Sequence, residues 1–301
     1  MSRVTVFGYV NLEHVVGLSR DVERGVTSLV ERRHTPPEGR VGGCASYIAT
    51  GLAEAGLSVD IASFVGEDDE AELVARSLVA AGVGVEALER GPQPHTGSVW
   101  LPYGPSDASY CIYDPGGPLP ETLTERQRRV CAGAAWLVAS VGPPGPCAET
   151  LDALPPTASL FWSVKADPGS LPPSLTRALA ARAGVIVFSS VEAEFLEQSL
   201  GVDWRDHVAS PDALIVETRG PLGLRYWTSG QEHQIEPGLR LEILDTIGAG
   251  DRFCAGLLAA LIGGADTAAA VTNGAETAAT LLRRRLDVDA GRRDAVVRPR
   301  V

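Results

Sequence analysis

The chain has 301 residues, of which 45% are apolar and 21% charged, and its formal net charge is −12. Roughly 100–200 residues make a domain, so this length allows one large α/β domain or two smaller ones. The acidic balance excludes a nucleic-acid footprint, which needs a basic face, and no apolar run approaches the ~18 residues of a membrane span.

In chain order, MSRVTVFGYV is too short and too strand-like for a signal peptide, so a cytoplasmic protein is expected. Residues 4–10 read as a buried strand. Residues 11–40 carry charge and TPPEG, with little helical period. Residues 44–56 read as a helix ended by Gly56, and 59–66 as a strand. Asp68 is placed to cap a helix that runs to about Ala81, where Gly82 stops it. Residues 96–114, TGSVWLPYGPSDASYCIYD, alternate in the manner of antiparallel strands. Strand-like runs then recur at 135–140, 159–163, 185–190 and 213–218, with helical runs at 175–183 and 191–200. LEIL (241–244) is a short strand and 253–264 a helix. The arginine-rich C-terminus reads as cations at a helix end followed by a solvated tail.

Strands alternating with helices imply a mostly parallel sheet covered on both faces. Segments 11–40 and 96–114 interrupt that rhythm. They read as one small β-sheet standing off the core, a lid candidate, the alternative being two surface loops with edge hairpins. Trp100 and Tyr103 in it could cover a substrate or pack the sheet against a second subunit as a homodimer.

Cys44, Cys111, Cys131, Cys147 and Cys254 form no CxxC pair, and the histidines show no metal-ligand spacing, so reduced thiols without a zinc site are expected. Lys165 is the only lysine, which rules out a P-loop. A surface salt bridge is the expectation for it, with phosphate neutralisation as the alternative. Arg252 is expected to face solvent, or else to meet a nucleotide phosphate.

DTIGAGDRF (245–253) carries the chemistry. Gly248, Ala249 and Gly250 sit where a strand turns into a helix. The amides there have no intrahelical partners and lie at the positive end of the helix dipole, which makes an anion site without a lysine. Asp251 could simply cap the helix. Beside an anion site it could also accept the proton of a hydroxyl that attacks a phosphoryl group.

DTIGAGDRF resembles the DTxGAGDxF signature of the ribokinase-like (PfkB) carbohydrate kinases. The family's other segments follow in order. GYVNLEHVV (8–16) is similar to GxxNxDxxV, RVGGCASYIA (40–49) to GGxxxNxA, SSVEAEFL (189–196) to NxxE, and TRGPLG (218–223) to TxGxxG. The resemblance implies a three-layer αβα sandwich with a β-lid over one kinase domain, 1–301, transferring phosphate from ATP with Mg²⁺. It implies Asp251 as base and Gly248, Ala249 and Gly250 as anion hole. Asn11 and Glu13 would meet acceptor hydroxyls, with Gly42 and Gly43 letting the acceptor approach the backbone. Glu192 would stand near the Mg²⁺ waters, and Thr218, Gly220 and Gly223 would cradle nucleotide phosphates. Asn273, in the penultimate helix, would lie beside the base. Asp245 and Thr246 would border a monovalent-cation loop, a place for K⁺.

The chain departs from the pattern at Glu13 (usually Asp), Tyr47 (usually Asn) and Ser189 (usually Asn). These changes point to an acceptor other than ribose, one with an aromatic or apolar part stacked on Tyr47, unless Tyr47 packs in its helix. The reading is ATP-dependent phosphorylation of a sugar-like hydroxyl. A nucleoside kinase is the alternative among kinases, and a catalytically silent sugar or nucleotide sensor the alternative of another class.

Overall fold

The computed structural model describes residues 3–106, 110–236 and 245–296, with side chains to residue 286. The expected strand at 241–244, the middle of 96–114 and the last five residues lie outside the described residues.

The elements in order are β1 (Arg3–Phe7), β2 (Asn11–Leu18), β3 (Val30–Arg33), β4 (Arg40–Gly42), α1 (Cys44–Glu54), β5 (Ser58–Val65), α2 (Asp69–Ala80), β6 (Leu88–Arg90), β7 (Ser98–Tyr103) and β8 (Ile112–Asp114). They continue with α3 (Glu125–Ala132), β9 (Trp136–Ala139), α4 (Pro144–Ala153), β10 (Ser159–Ser163), α5 (Pro173–Arg182), β11 (Val185–Ser189) and α6 (Ser190–Leu200). The last are β12 (Leu214–Thr218), β13 (Leu224–Thr228), β14 (Gln231–Ile235), α7 (Ala249–Ile262) and α8 (Thr267–Val296).

Among the described residues the large sheet runs β14-β13-β12-β11-β10-β9-β1-β5-β6. It is parallel from β12 to β6, with an antiparallel hairpin at the other edge. Its strands alternate sides with period two, as a sheet buried on both faces requires. Val138, Phe161, Val185, Val187, Leu214 and Val216 point to one core, which α1, α2, α7 and α8 cover. Leu137, Leu160, Trp162, Ile186, Phe188 and Ile215 point to the other, which α3 to α6 cover. This is a three-layer αβα sandwich.

The interrupting segments build a second sheet, β3-β2-β7-β8 with β4 also on β2. The alternation in 96–114 suggested antiparallel pairing throughout. β7 does pair antiparallel with β8, but its other neighbour, β2, runs parallel to it. Two strands so far apart in sequence need no tight hairpin to join them, so nothing local imposes an antiparallel ladder. Trp100 and Ile112 oppose each other across β7 and β8, and both are exposed.

Asp68 caps α2 as expected, accepting from the Ala71 amide at 3.1 Å, and Gly82 follows the helix at φ +82°. The C-terminal expectation changes. α8 continues through most of the arginine-rich segment, and Asn273 lies on this last helix rather than on a penultimate one. No described helix is long and apolar enough to cross a membrane.

Candidate active site

Parallel strands place their carboxyl ends along one edge, and the strand order reverses between β9 and β1. The crevice outside such a reversal is where open α/β sheets bind ligands. Asn11 follows β1, Lys165 follows β10, Ser189 ends β11 and Thr218 ends β12, all at that edge. The N-terminus of α7 meets them there, because α7 packs against β10 and α1.

Asp251 stands in the first turn of α7 and is 4% exposed. The helix's N-cap is Gly248, with no side-chain cap, and Asp251 Oδ1 takes no hydrogen bond among the described residues. Its partner is an ammonium: Lys165 Nζ lies 3.2 Å from Asp251 Oδ1 and 3.9 Å from Glu192 Oε1. The lone lysine is therefore not in a surface salt bridge. Its side chain is 26% exposed and meets a sealed carboxylate. Burial works to lower its pKa, but Asp251 foremost, with Cys44 and Glu192, holds it well above the ordinary lysine value. The neighbouring thiols are quiet, since burial pushes Cys44 far up and Cys254 up to about 12.

Around the turn into α7, amides stand without an acceptor among the described residues. Gly248 has φ +77°, a conformation other residues resist, and a Cβ there would come within 2.7 Å of the Tyr47 ring. The Ala249 amide is engaged by Thr246 O at 3.1 Å. The Gly248 and Gly250 amides have no acceptor among the described residues, and a Cβ on Gly250 would meet open space.

Behind the turn lies a closed ring of charge. Tyr47 Oη donates to Glu13 Oε2 at 2.6 Å. Arg40 donates through Nη2 to the same oxygen and through Nη1 to Asp245 Oδ2, each at 2.8 Å. Arg285 donates from Nη1 to Asp245 Oδ1 at 3.0 Å, to Asp245 O at 3.1 Å and to Ile247 O. Its Nη2 reaches Tyr47 Oη at 3.2 Å, which completes the ring. Tyr47 is thus buried between Gly248 and the two guanidiniums, 6.0 and 5.8 Å from its centroid. It is packed into the fold and offers no face for an acceptor to stack on.

The other expected residues fall into two groups. Asn11 is buried with Oδ1 unpartnered, an acceptor waiting for a donor. Gly220 has open space where a Cβ would stand, and Gly223 follows at φ +81°. Thr218 Oγ1 reaches Phe188 O at 3.4 Å. The rest have structural partners. Ser189 and Glu192 form a capping box on α6, with Glu192 Oε2 2.6 Å from the Ser189 amide, which leaves Oε1 toward Lys165. Gly42 makes room for the Glu13 side chain and Gly43 for Tyr9 O. Asn273 Nδ2 bonds Gly256 O at 2.7 Å and so ties α8 to α7. Arg252, expected in solvent or on phosphate, is mostly buried and pairs with Glu54 at 2.9 Å.

Sequence reasoning did not place Lys165 beside Asp251, nor Arg40 and Arg285 around Asp245. For Lys165 a signal existed in its being the chain's only lysine. For the arginines there was none.

The sequence pattern of the pfkB family of carbohydrate kinases matches residues 1–289. A fructokinase of Rhizobium leguminosarum bv. trifolii is 26% identical over 257 residues, 78% of this chain and 74% of its own. The ribokinase of Arabidopsis thaliana, solved with ribose and ATP, superposes with a TM-score of 0.74 at 17% identity, over 94% of this chain and 93% of its own. The nucleoside kinase of Burkholderia thailandensis, solved with inosine, gives 0.72 at 22% identity, over 93% of this chain and 91% of its own.

Proposed function

The chain belongs to the pfkB family of carbohydrate kinases, and on that premise we propose that it moves the γ-phosphoryl group of ATP to a hydroxyl of a small sugar-like acceptor. The observation that carries this reading is Asp251: buried, not used as a cap, and one turn from two open amides. A carboxylate so placed takes the proton of the attacking hydroxyl, and the Gly248 and Gly250 amides meet charge on the transferring phosphoryl. Lys165 keeps Asp251 in place and supplies positive charge without a dissociable ion. Asn11 Oδ1 accepts from an acceptor hydroxyl, and Glu13, locked by Arg40 and Tyr47, walls the acceptor pocket. Thr218, Gly220 and Gly223 face the nucleotide. ATP as donor is supported by the Arabidopsis ribokinase of like fold, solved with ATP. The small sheet closes over the acceptor as a lid and excludes water. Its exposed Trp100 and Ile112 would join two chains as a dimer.

Magnesium enters with ATP. That ion needs one or two carboxylates beside phosphate oxygens and waters. Glu192 Oε1 fits such a role through water, and no group of three His, Cys, Asp or Glu forms a cage among the described residues. Bound there, the ion would neutralise phosphate charge.

The test is ATP consumption across sugars, sugar phosphates and nucleosides, with Asp251→Asn beside the wild type. Turnover on a sugar that the variant loses by about 10²–10⁴-fold supports the proposal. Turnover confined to nucleosides would shift the acceptor class. Unchanged turnover in Asp251→Asn would remove Asp251 as base.

A further inference from the structure

The resemblance in sequence implies a monovalent cation beside Asp245 and Thr246, and the structure disagrees with it. The carbonyls of Asp245 and Ile247 and the carboxylate oxygen Asp245 Oδ1 converge on one point, as ligands of a small cation would. That point is filled by Arg285 Nη1, 3.1 Å from Asp245 O, 3.0 Å from Asp245 Oδ1, and bonded to Ile247 O. Arg40 occupies the second carboxylate oxygen at 2.8 Å. Both side chains are mostly withdrawn from water, Arg285 to 11% exposure and Asp245 to 5%. A metal ion entering here would have to displace a guanidinium already held by charge-assisted bonds.

We infer that Arg285 is the resident cation of the turn at 245–250, and that nucleotide binding and phosphoryl transfer by this chain need no monovalent metal ion. The physical link is the peptide between Ile247 and Gly248. A trans peptide is planar, so its C=O and N–H point in opposite directions. Arg285 grips Ile247 O and thereby aims the Gly248 amide to the side away from the guanidinium. A dissociable ion in the same cage would do this only while bound. A side chain carried by α8 does it permanently and keeps both carbonyls paired. Arg285 acts through the Gly248 amide and is a positioning residue. The inference rests on reading that amide as part of the anion hole.

The experiment compares wild type, Arg285→Ala and Arg285→Lys in K⁺, Na⁺ or tetramethylammonium chloride at one ionic strength. ATP affinity is read by calorimetry, turnover separately, and folding by circular dichroism. The wild type is expected to give the same ATP affinity, and the same turnover where an acceptor is known, in all three salts. Arg285→Ala is expected to weaken ATP binding about 10- to 100-fold, the usual loss for charged hydrogen bonds, and to regain part of it with added guanidinium or K⁺ but not tetramethylammonium. Arg285→Lys, which keeps a cation in the cage, should fall between. A rise of roughly tenfold or more in wild-type ATP affinity with K⁺, or a folded Arg285→Ala that binds ATP as the wild type does, overturns the inference. The wild-type arm needs no variant to fold. If no acceptor is phosphorylated but ATP binding ignores the salt, the kinase reading fails while the inference stands.

Discussion

Lys165 shows how one ion pair sets the character of a site. The ammonium raises no folding problem of its own because Asp251 is 3.2 Å away, and that pairing holds its pKa above the ordinary value despite burial. A lysine raised in the folded state contributes stability that is fully present below its unfolded pKa of about 10.4 and is lost as pH rises through the folded value. The melting-temperature difference between wild type and Lys165→Met should therefore stay constant from pH 7 to about 10 and shrink above that. The same variant should lower kcat by about 10²-fold with little change in the acceptor KM, since under the proposed function the charge it removes serves the transferring group. A difference that shrinks already near neutral pH would mean that Lys165 titrates low and is not paired as described. Residues of this kind were half legible. DTIGAGD marked Asp251 and the turn, because the proposed base and anion hole are local to seven residues. Arg40 and Arg285 were not legible, since their partners lie 205 and 40 positions away in the chain.

At the scale of elements, α7 carries Asp251 and is held by α8 through a close crossing. A Cβ on Gly256 would come within 2.3 Å of Thr277 Oγ1 and 2.8 Å of Asn273 O, and Asn273 Nδ2 is bonded to Gly256 O. Gly256→Val should force the helices apart at a cost of about 1–3 kcal/mol, as overpacking does, read as a lower urea midpoint with unchanged slope. Turnover per folded molecule should fall as well, because the first turn of α7 shifts with the helix. Unaltered stability would show that the crossing has slack. The elements themselves were largely legible. Short apolar runs named most strands of the parallel sheet, and Gly56 and Gly82 ended helices where a positive φ was needed. The length of α8 was not, because its arginines could equally belong to a solvated tail.

For the whole molecule, two sheets share the work. The large one fixes strand ends at one edge, and the small one supplies Asn11 and Glu13 from β2. The small sheet also leaves Val30, Trp100 and Ile112 exposed, apolar area that a second copy of the chain would cover under the dimer proposal. If it does, sedimentation should report a dimer in the wild type and a monomer in Trp100→Glu, with the melting temperature of the monomer independent of concentration. A wild type that stays monomeric at high concentration would end the dimer reading.

The layered α/β architecture, the turn at 245–251 and the family were legible from residue order alone, because apolar strand-like runs alternate with helical ones and the glycines and aspartates of DTIGAGD lie within seven residues. Which side chains share that turn depends on the folded chain. Arg285 reaches Asp245 and Ile247 because α8 folds back along α7, Lys165 reaches Asp251 because β10 ends beneath it, and Tyr47 is closed in by both arginines. Charges find partners by distance in space, and a single sequence carries no record of that distance.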